Sequence, residues 1–340
     1  MSGRALIVIP DEDYDRKLFI GSSNVAPIMG LGATYNGERY TAVDVYEAKI
    51  AEAAEQLPPD ERLFLERRKR WEPVVVQMLR EEFDAQVVAV NRRYRDPEVP
   101  YFASEIDFEW TVDAPAAASL GLDDSLIGSV QNGEIKTVSP FAFKEKFGWG
   151  DVGTGDVPIH YECQTQFGLG VTGREVCVVA AMVGLDNMLF YIVRRHDGAI
   201  VEMRETCSHF WTEHVLAKVP PEPQSIRDLT KLFAPPSDEA PYEADSDVGS
   251  KAYRYRAIAS NIDALELERE SLEFDLKRAM GKHDTLVVDG LKVITWKDQN
   301  FSRLDQSGLK EAHKDIYREF LRKGKHRVFK WLRSAPTIGD

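Results

Sequence analysis

Cysteine is scarce in this chain: Cys163, Cys177 and Cys207 are the only three, with no CxxC pair among them. An odd and scattered set supports neither a disulfide framework nor a zinc cage. Long apolar runs are missing too. The longest, Val176 to Leu185, has ten residues, against the roughly 20 of a membrane-spanning helix. The opening segment MSGRALIVIPDEDYD sets acids directly after its short apolar patch, which does not fit a secretory signal. Together these absences predict a soluble cytoplasmic protein with no membrane partner. Positive charge is in deficit as well. With 43 Lys and Arg against 56 Asp and Glu, the net charge is −13, which argues against a protein held to nucleic acid by general basicity. A local basic surface remains available, because Lys310 to Arg333 carries nine basic and three acidic residues.

Apolar residues make up 43% of the 340, enough for a substantial core. Six of the seventeen prolines and an acidic cluster, Asp238 to Asp247, fall between Val219 and Ser250. Proline removes backbone donors and blocks helices, so this segment reads as an extended linker. The predicted organisation is a core over 1–218, a linker over 219–250 and a smaller module over 251–340. In the core, periodicity predicts helices over 44–57 and 58–83, the second bent at Pro73, then strands over 85–90, 105–110 and 128–139. A helix over 159–171 and strands over 175–183 and 188–194 follow. The module reads as a charged helix over 253–280, a hairpin over 285–296 and a basic helix over 306–322. Its Lys310, Lys314, Arg318 and Arg322 recur every four residues as one stripe, suited to duplex DNA or a neighbouring subunit. The fold class is α/β: a mixed sheet flanked by helices, followed by a small α+β module.

Glu134-Ile135-Lys136 is an acid–any–lysine tripeptide of the kind used by metal-dependent phosphodiesterases. Three other matches occur, at 15–17, 47–49 and 275–277. Only the one at 134 falls in a strand-like run, where the period of two puts Glu134 and Lys136 on one face. Ile106, Phe108 and Trp110 alternate with Glu105, Asp107 and Glu109, so the same period predicts a face of three carboxylates. Such charges crowd one another unless a cation sits among them; an exposed edge strand has the same pattern. Glu72 borders the apolar stripe of Trp71, Val75, Met78 and Leu79. A buried carboxylate needs a partner, either Arg68 one turn back or a metal. Tyr161, Gln164 and Gly168 share a face beside the apolar Ile159, Cys163 and Phe167, with Gln166 nearby. Ile20 to Ala26 opens a helix after a glycine turn, with Ser and Asn as caps and exposed amides that attract anions.

In this order the elements resemble one family. Arg16, the IGSSNVA segment, WEPVV at 71–75, Asp107, Glu134-Ile135-Lys136 and the Gln164-Thr165-Gln166 helix resemble the lambda-exonuclease-type viral recombinases. That family has the restriction-endonuclease-like PD-(D/E)xK nuclease core. The phrases NGEIKTVSP, HYECQTQFGLGVTG and LFYIVRRHDG are similar to that core over about 16–200, and GLKVITWKDQNFSRLD to the tail module of phage members. The resemblance implies a Mg²⁺-dependent 5′→3′ exonuclease on double-stranded DNA, with Mn²⁺ able to substitute. It would release mononucleotides and leave 3′ single strands for recombination by annealing.

By the same resemblance, Asp107, Glu134 and the Ile135 carbonyl are metal ligands, and Glu72 serves a second metal or a water on it. Lys136 orients or activates the attacking water, Gln164 helps hold the site, and Arg16 with Ser23 takes the 5′-terminal phosphate. Implied partners are duplex DNA ends, further copies in a homo-oligomeric ring (a trimer), and a single-strand annealing protein, in a phage- or prophage-bearing bacterial cytoplasm. The chain departs from the family at Phe108 and Arg68, where the family has glycine, and in an insertion over 111–131. The alternatives are a structure- or sequence-directed endonuclease on the same core and a non-catalytic recombination mediator.

Overall fold

A computed structural model describes residues 6–35, 37–52, 59–144, 148–184, 186–233, 241–322 and 328–332. The chain divides into two units, Met1–Ala234 and Pro235–Asp340. The first is built on a seven-stranded mixed sheet. Its strands are β1 (Ile7–Val8), β2 (Ile20–Gly21), β3 (Gln86–Arg95), β4 (Phe102–Thr111), β5 (Val130–Val138), β6 (Val176–Val183) and β7 (Asn187–Arg194). The order is β1-β3-β4-β5-β6-β7, with β2 beside β4. The pairs β2–β4 and β5–β6 are parallel and the others antiparallel.

Helices of this unit include α1 (Ser22–Ile28), α2 (Ala42–Ile50), α3 (Pro59–Lys69), α4 (Glu72–Glu82), α5 (Ile159–Thr172), α6 (Asp197–Phe210) and α7 (Ile226–Leu232). β6 is buried along its whole length, as its unbroken run VCVVAAMV requires of a strand covered on both faces. One apolar layer gathers α1, α2, α5 and α6 around Ile20, Phe102, Ile106 and Phe167. Another sets Val75 and Leu79 of α4 against Phe108, Trp110, Ile135 and Val178. The 111–131 segment folds as a short helix, Ala114–Ser119, capped by Asp113, and sends Ala117 and Leu122 into that second layer.

Three sequence expectations are corrected. The 58–83 helix is two helices, because Arg70 and Trp71 form a turn between α3 and α4. Pro73 bends nothing: it lies in the first turn of α4, where no intrahelical N–H is lost. Nor does 219–250 stay extended. Residues 226–232 form α7, whose Asp228 is fully buried against Thr41 and Gln224. Arg227 and Lys231 pair with Asp44 of α2, so this stretch belongs to the first unit, where its charges find partners. Of the expected linker, 234–240 lie outside the described residues, as do 53–57 of the expected 44–57 helix and residue 58 of the next.

The second unit has the long helix α8 (Ser246–Met280), a hairpin of β8 (Thr285–Val288) and β9 (Leu291–Thr295), and the short α9 (Gln306–Ala312) and α10 (Lys314–Phe320). The predicted basic helix is therefore broken at His313, whose φ of −136° is not helical. Neither piece buries a residue, so no packing stabilises a longer helix. Lys310 does not share a helix with Lys314 and Arg318, and the single stripe is lost. Among the described residues no helix is long and apolar enough to cross a membrane. All three cysteines are free and buried.

Candidate active site

β4 and β5 make the site by parting. Their ladder runs from Thr111↔Val130 to Phe108↔Gly133; one step further it would set Asp107 level with Glu134. On the other side of β4 the register passes from Arg92↔Ile106 to Val90↔Phe108. Asn91, between them, takes a φ of 48°, a left-handed conformation that asparagine tolerates better than most residues. With the pairing interrupted on both sides, Asp107 sends its carboxylate across the gap, and Oδ2 accepts the Ile135 N–H at 2.8 Å. A strand residue's N–H and C=O point to the same side, so the Ile135 carbonyl faces this gap too.

Glu134 and Lys136 meet on one face, as the period of two predicts. Lys136 Nζ donates to Glu134 Oε1 at 2.7 Å and to Gln164 Oε1 at 2.9 Å, while Gln164 Nε2 donates to the same Glu134 oxygen at 2.6 Å. The closed triangle fixes which way the Gln164 amide points. Tyr161, one turn earlier on α5, places its ring 4.5 Å from Lys136 Nζ, a cation–π contact that holds the ammonium from a third side.

Charge is crowded here. Burial raises the Asp107 carboxyl well above the usual range, and Glu134 and Glu72 add to the shift, against Lys136 and the Ile135 N–H. Burial also raises Glu72, with Glu105 and Glu134 adding and Lys69 and Lys136 opposing. For Lys136 burial acts downward but is outweighed by Glu134 and Asp107, so its ammonium is pushed up to about 12 and stays protonated. Three interacting carboxylates thus share one ammonium, an excess of negative charge that a divalent cation would relieve. Among the described residues no three His, Cys, Asp or Glu converge as a metal cage. Two carboxylates and a carbonyl are nonetheless hard oxygen donors, and Mg²⁺ commonly takes one or two carboxylates and keeps several waters. The residues present fit Mg²⁺ and not zinc.

A cleft of about 270 Å³ opens beside this cluster, lined by Ser23, Arg68, Glu72, Lys136, His160 and Gln164 among others. It separates the two candidate serines. Ser22 is buried and shares a 2.7 Å hydrogen bond with Ser104, whereas Ser23 is exposed and lines the cleft. The helix cap is Gly21, not a serine, with Asn24 accepting the Gly21 N–H at 3.1 Å.

Arg16 is not among the residues lining the cleft. It is exposed and pairs with Glu105 at 3.4 Å, a carboxylate that Arg93 already holds at 3.0 Å. Glu109 is also engaged, buried between the Tyr94 hydroxyl and Arg174. The expected face of three carboxylates therefore contributes Asp107 alone. Gln166 is structural: it bonds the Arg194 carbonyl and the His196 N–H. Gly168 lets α5 approach the sheet, since an added Cβ would lie 3.2 Å from the Ser104 hydroxyl.

Two cleft residues escape a reading of the sequence. His160 precedes Gln164 by one helical turn, and that i, i+4 spacing is the available signal. Burial and Lys136 push its imidazole down to about 4, so it is neutral at pH 7. The sequence offers Arg68 as a partner for Glu72 and as a departure from the family glycine, not as a cleft residue, and among the described residues no ion pair joins it to Glu72.

No family model matches the chain, and no curated protein does. Solved structures do. An alkaline exonuclease from Laribacter hongkongensis is 16% identical, with 60% of this chain and 91% of that chain covered and a TM-score of 0.41. A second structure of that exonuclease, in complex with dAMP, is 17% identical over the same shares, with a TM-score of 0.40.

Proposed function

We propose that this protein is a Mg²⁺-dependent exonuclease that degrades one strand of double-stranded DNA. What supports this is one arrangement: Asp107 reaching across parted strands to the Ile135 N–H, level with a Glu134 whose carboxylate is tied to Lys136 and Gln164. Asp107, Glu134 and the Ile135 carbonyl would hold Mg²⁺, and Glu72 a second ion. Bound there, a divalent cation neutralises charge on a phosphate and makes water a better nucleophile near neutral pH.

The remaining work falls to the chain. Lys136 is tethered by two hydrogen bonds, to Glu134 and Gln164, so its amine is held where it would orient or activate the attacking water. Gln164 keeps Glu134 and Lys136 in register. Ser23 offers a hydroxyl to a phosphate oxygen at the cleft wall. Following the resemblance, attack starts at a 5′-phosphorylated end, releases mononucleotides and leaves 3′ strands for annealing. Mn²⁺ would substitute for Mg²⁺, the working form would be a homo-oligomeric ring such as a trimer, and an annealing protein would receive the product strand.

The test is digestion of linear duplex DNA with Mg²⁺, one 5′ end phosphorylated and the other blocked, beside a closed circle. Mononucleotides from the phosphorylated end alone are expected. A cut circle would mean an endonuclease instead, and binding without cleavage a mediator.

The adjacent serines give a second expectation. Ser22→Ala strands the buried Ser104 hydroxyl and should lower stability by about 1 kcal/mol with little change in cleavage per folded molecule. Ser23→Ala should do the reverse, leaving Tm unchanged and weakening binding of DNA ends. Melting curves beside end-binding titrations separate the two.

A further inference from the structure

The cleft has a cation that the family pattern does not provide for. Of its two basic wall residues, Lys136 is committed to Glu134 at 2.7 Å. Arg68, in the last turn of α3, has no carboxylate partner among the described residues. Its guanidinium carbon lies 4.8 Å from the centre of the Phe64 ring. A cation–π contact with a half-exposed phenylalanine steadies a guanidinium without neutralising it. An arginine held this way, lining the same cleft as the exposed Ser23, has a planar fork of donors suited to phosphate oxygens. Arg16 is not among the residues lining the cleft and keeps an exposed side chain, paired at 3.4 Å with Glu105.

We infer that Arg68 is a substrate-binding residue of this cleft, gripping a backbone phosphate of the nucleic-acid strand that enters between Ser23 and Lys136. The inference rests on the nuclease reading and adds a contact that a glycine at this position could not make. It also gives α3 a role in the cleft, since Arg68 at the end of α3 lines the same cleft as Glu72 at the start of α4. The ligand class is a phosphodiester, not a nucleobase, because the fork reads charge and geometry and carries no base information.

The experiment is binding of a duplex oligonucleotide with a short single-stranded end, without divalent metal, over a series of salt concentrations. Each phosphate contact contributes about 0.7–0.9 to the slope of log affinity against log salt. Arg68→Ala should weaken binding about tenfold near 0.1 M salt and flatten the slope by close to one contact. Arg68→Lys should restore the slope and recover affinity in part.

An unchanged slope in Arg68→Ala, in a protein that melts like the wild type, overturns the inference while leaving the nuclease reading intact. A flattened slope in Arg16→Ala with none in Arg68→Ala also overturns it, by returning the contact to Arg16. A wild-type protein that binds DNA at no salt concentration overturns the nuclease reading and the inference with it. A contact to the terminal phosphate, and not to the backbone, would appear as an Arg68→Ala loss seen only with 5′-phosphorylated ends, which also overturns the assignment made here.

Discussion

Asp107→Asn should abolish DNA cleavage, by at least about 10³-fold or roughly 4 kcal/mol of barrier, while leaving a folded protein that still binds duplex ends. The amide can keep accepting the Ile135 N–H, which Asp107 now receives at 2.8 Å, so the parted strands have no reason to close. What is lost is a negative oxygen donor. Stability should move the other way. Burial and Glu134 raise the Asp107 pKa, and an acid whose pKa rises on folding destabilises the native state once pH exceeds its unfolded value. The neutral amide removes that cost, so metal-free Asp107→Asn should melt at or above the wild-type temperature. Mg²⁺ at ten times its dissociation constant should stabilise the wild type by about 1.4 kcal/mol, or roughly 3–6 °C, and leave the variant unmoved. A variant that melts early has lost its fold, and its inactivity then says nothing about chemistry. A variant that cleaves at the wild-type rate excludes Asp107 as a ligand.

The elements of the core were legible because their signals are local. The unbroken apolar run of β6 and the apolar–acidic alternation in β4 each declare a burial pattern within one segment. Glu134, Lys136 and Gln164 were legible for the same reason, since the side chains that carry the site sit on the faces periodicity assigns them. What escaped depends on contacts between segments distant in sequence. No period reveals that Glu109 is taken by Arg174, or that Arg16 turns to Glu105. Proline misleads at Pro73 and near 220 because its cost depends on where in a helix it falls. At the first turn it costs nothing, and α7 starts three residues after Pro223. Ser22 and Ser23 are chemically identical in sequence, and only packing against Ser104 tells them apart.

Gly133→Ala should destabilise the core unit by about 3 kcal/mol, the upper range for overpacking, and lower Tm by roughly 6–12 °C for a unit of this size. A Cβ at this position would fall 2.2 Å from two ring atoms of Phe108 and 2.4 Å from a third. Phe108 is 2% exposed, so its ring has no free volume to retreat into. The clash explains how the chain accommodates a phenylalanine directly after Asp107, where the resemblance expects glycine. Bulk on β4 is offset by a missing side chain directly opposite on β5, in the register Phe108↔Gly133. That pair is also the last rung before the strands part at Asp107, so whatever displaces the ring displaces the carboxylate beside it. Gly133→Ala should therefore lose activity beyond what its unfolded fraction explains. The three offending atoms are Cε1, Cε2 and Cζ, which leucine lacks. In a Phe108→Leu background the same change should cost less than about 1 kcal/mol, a coupling of roughly 2 kcal/mol in a double-mutant cycle. If Gly133→Ala costs the same in both backgrounds, the ring is not what the glycine accommodates.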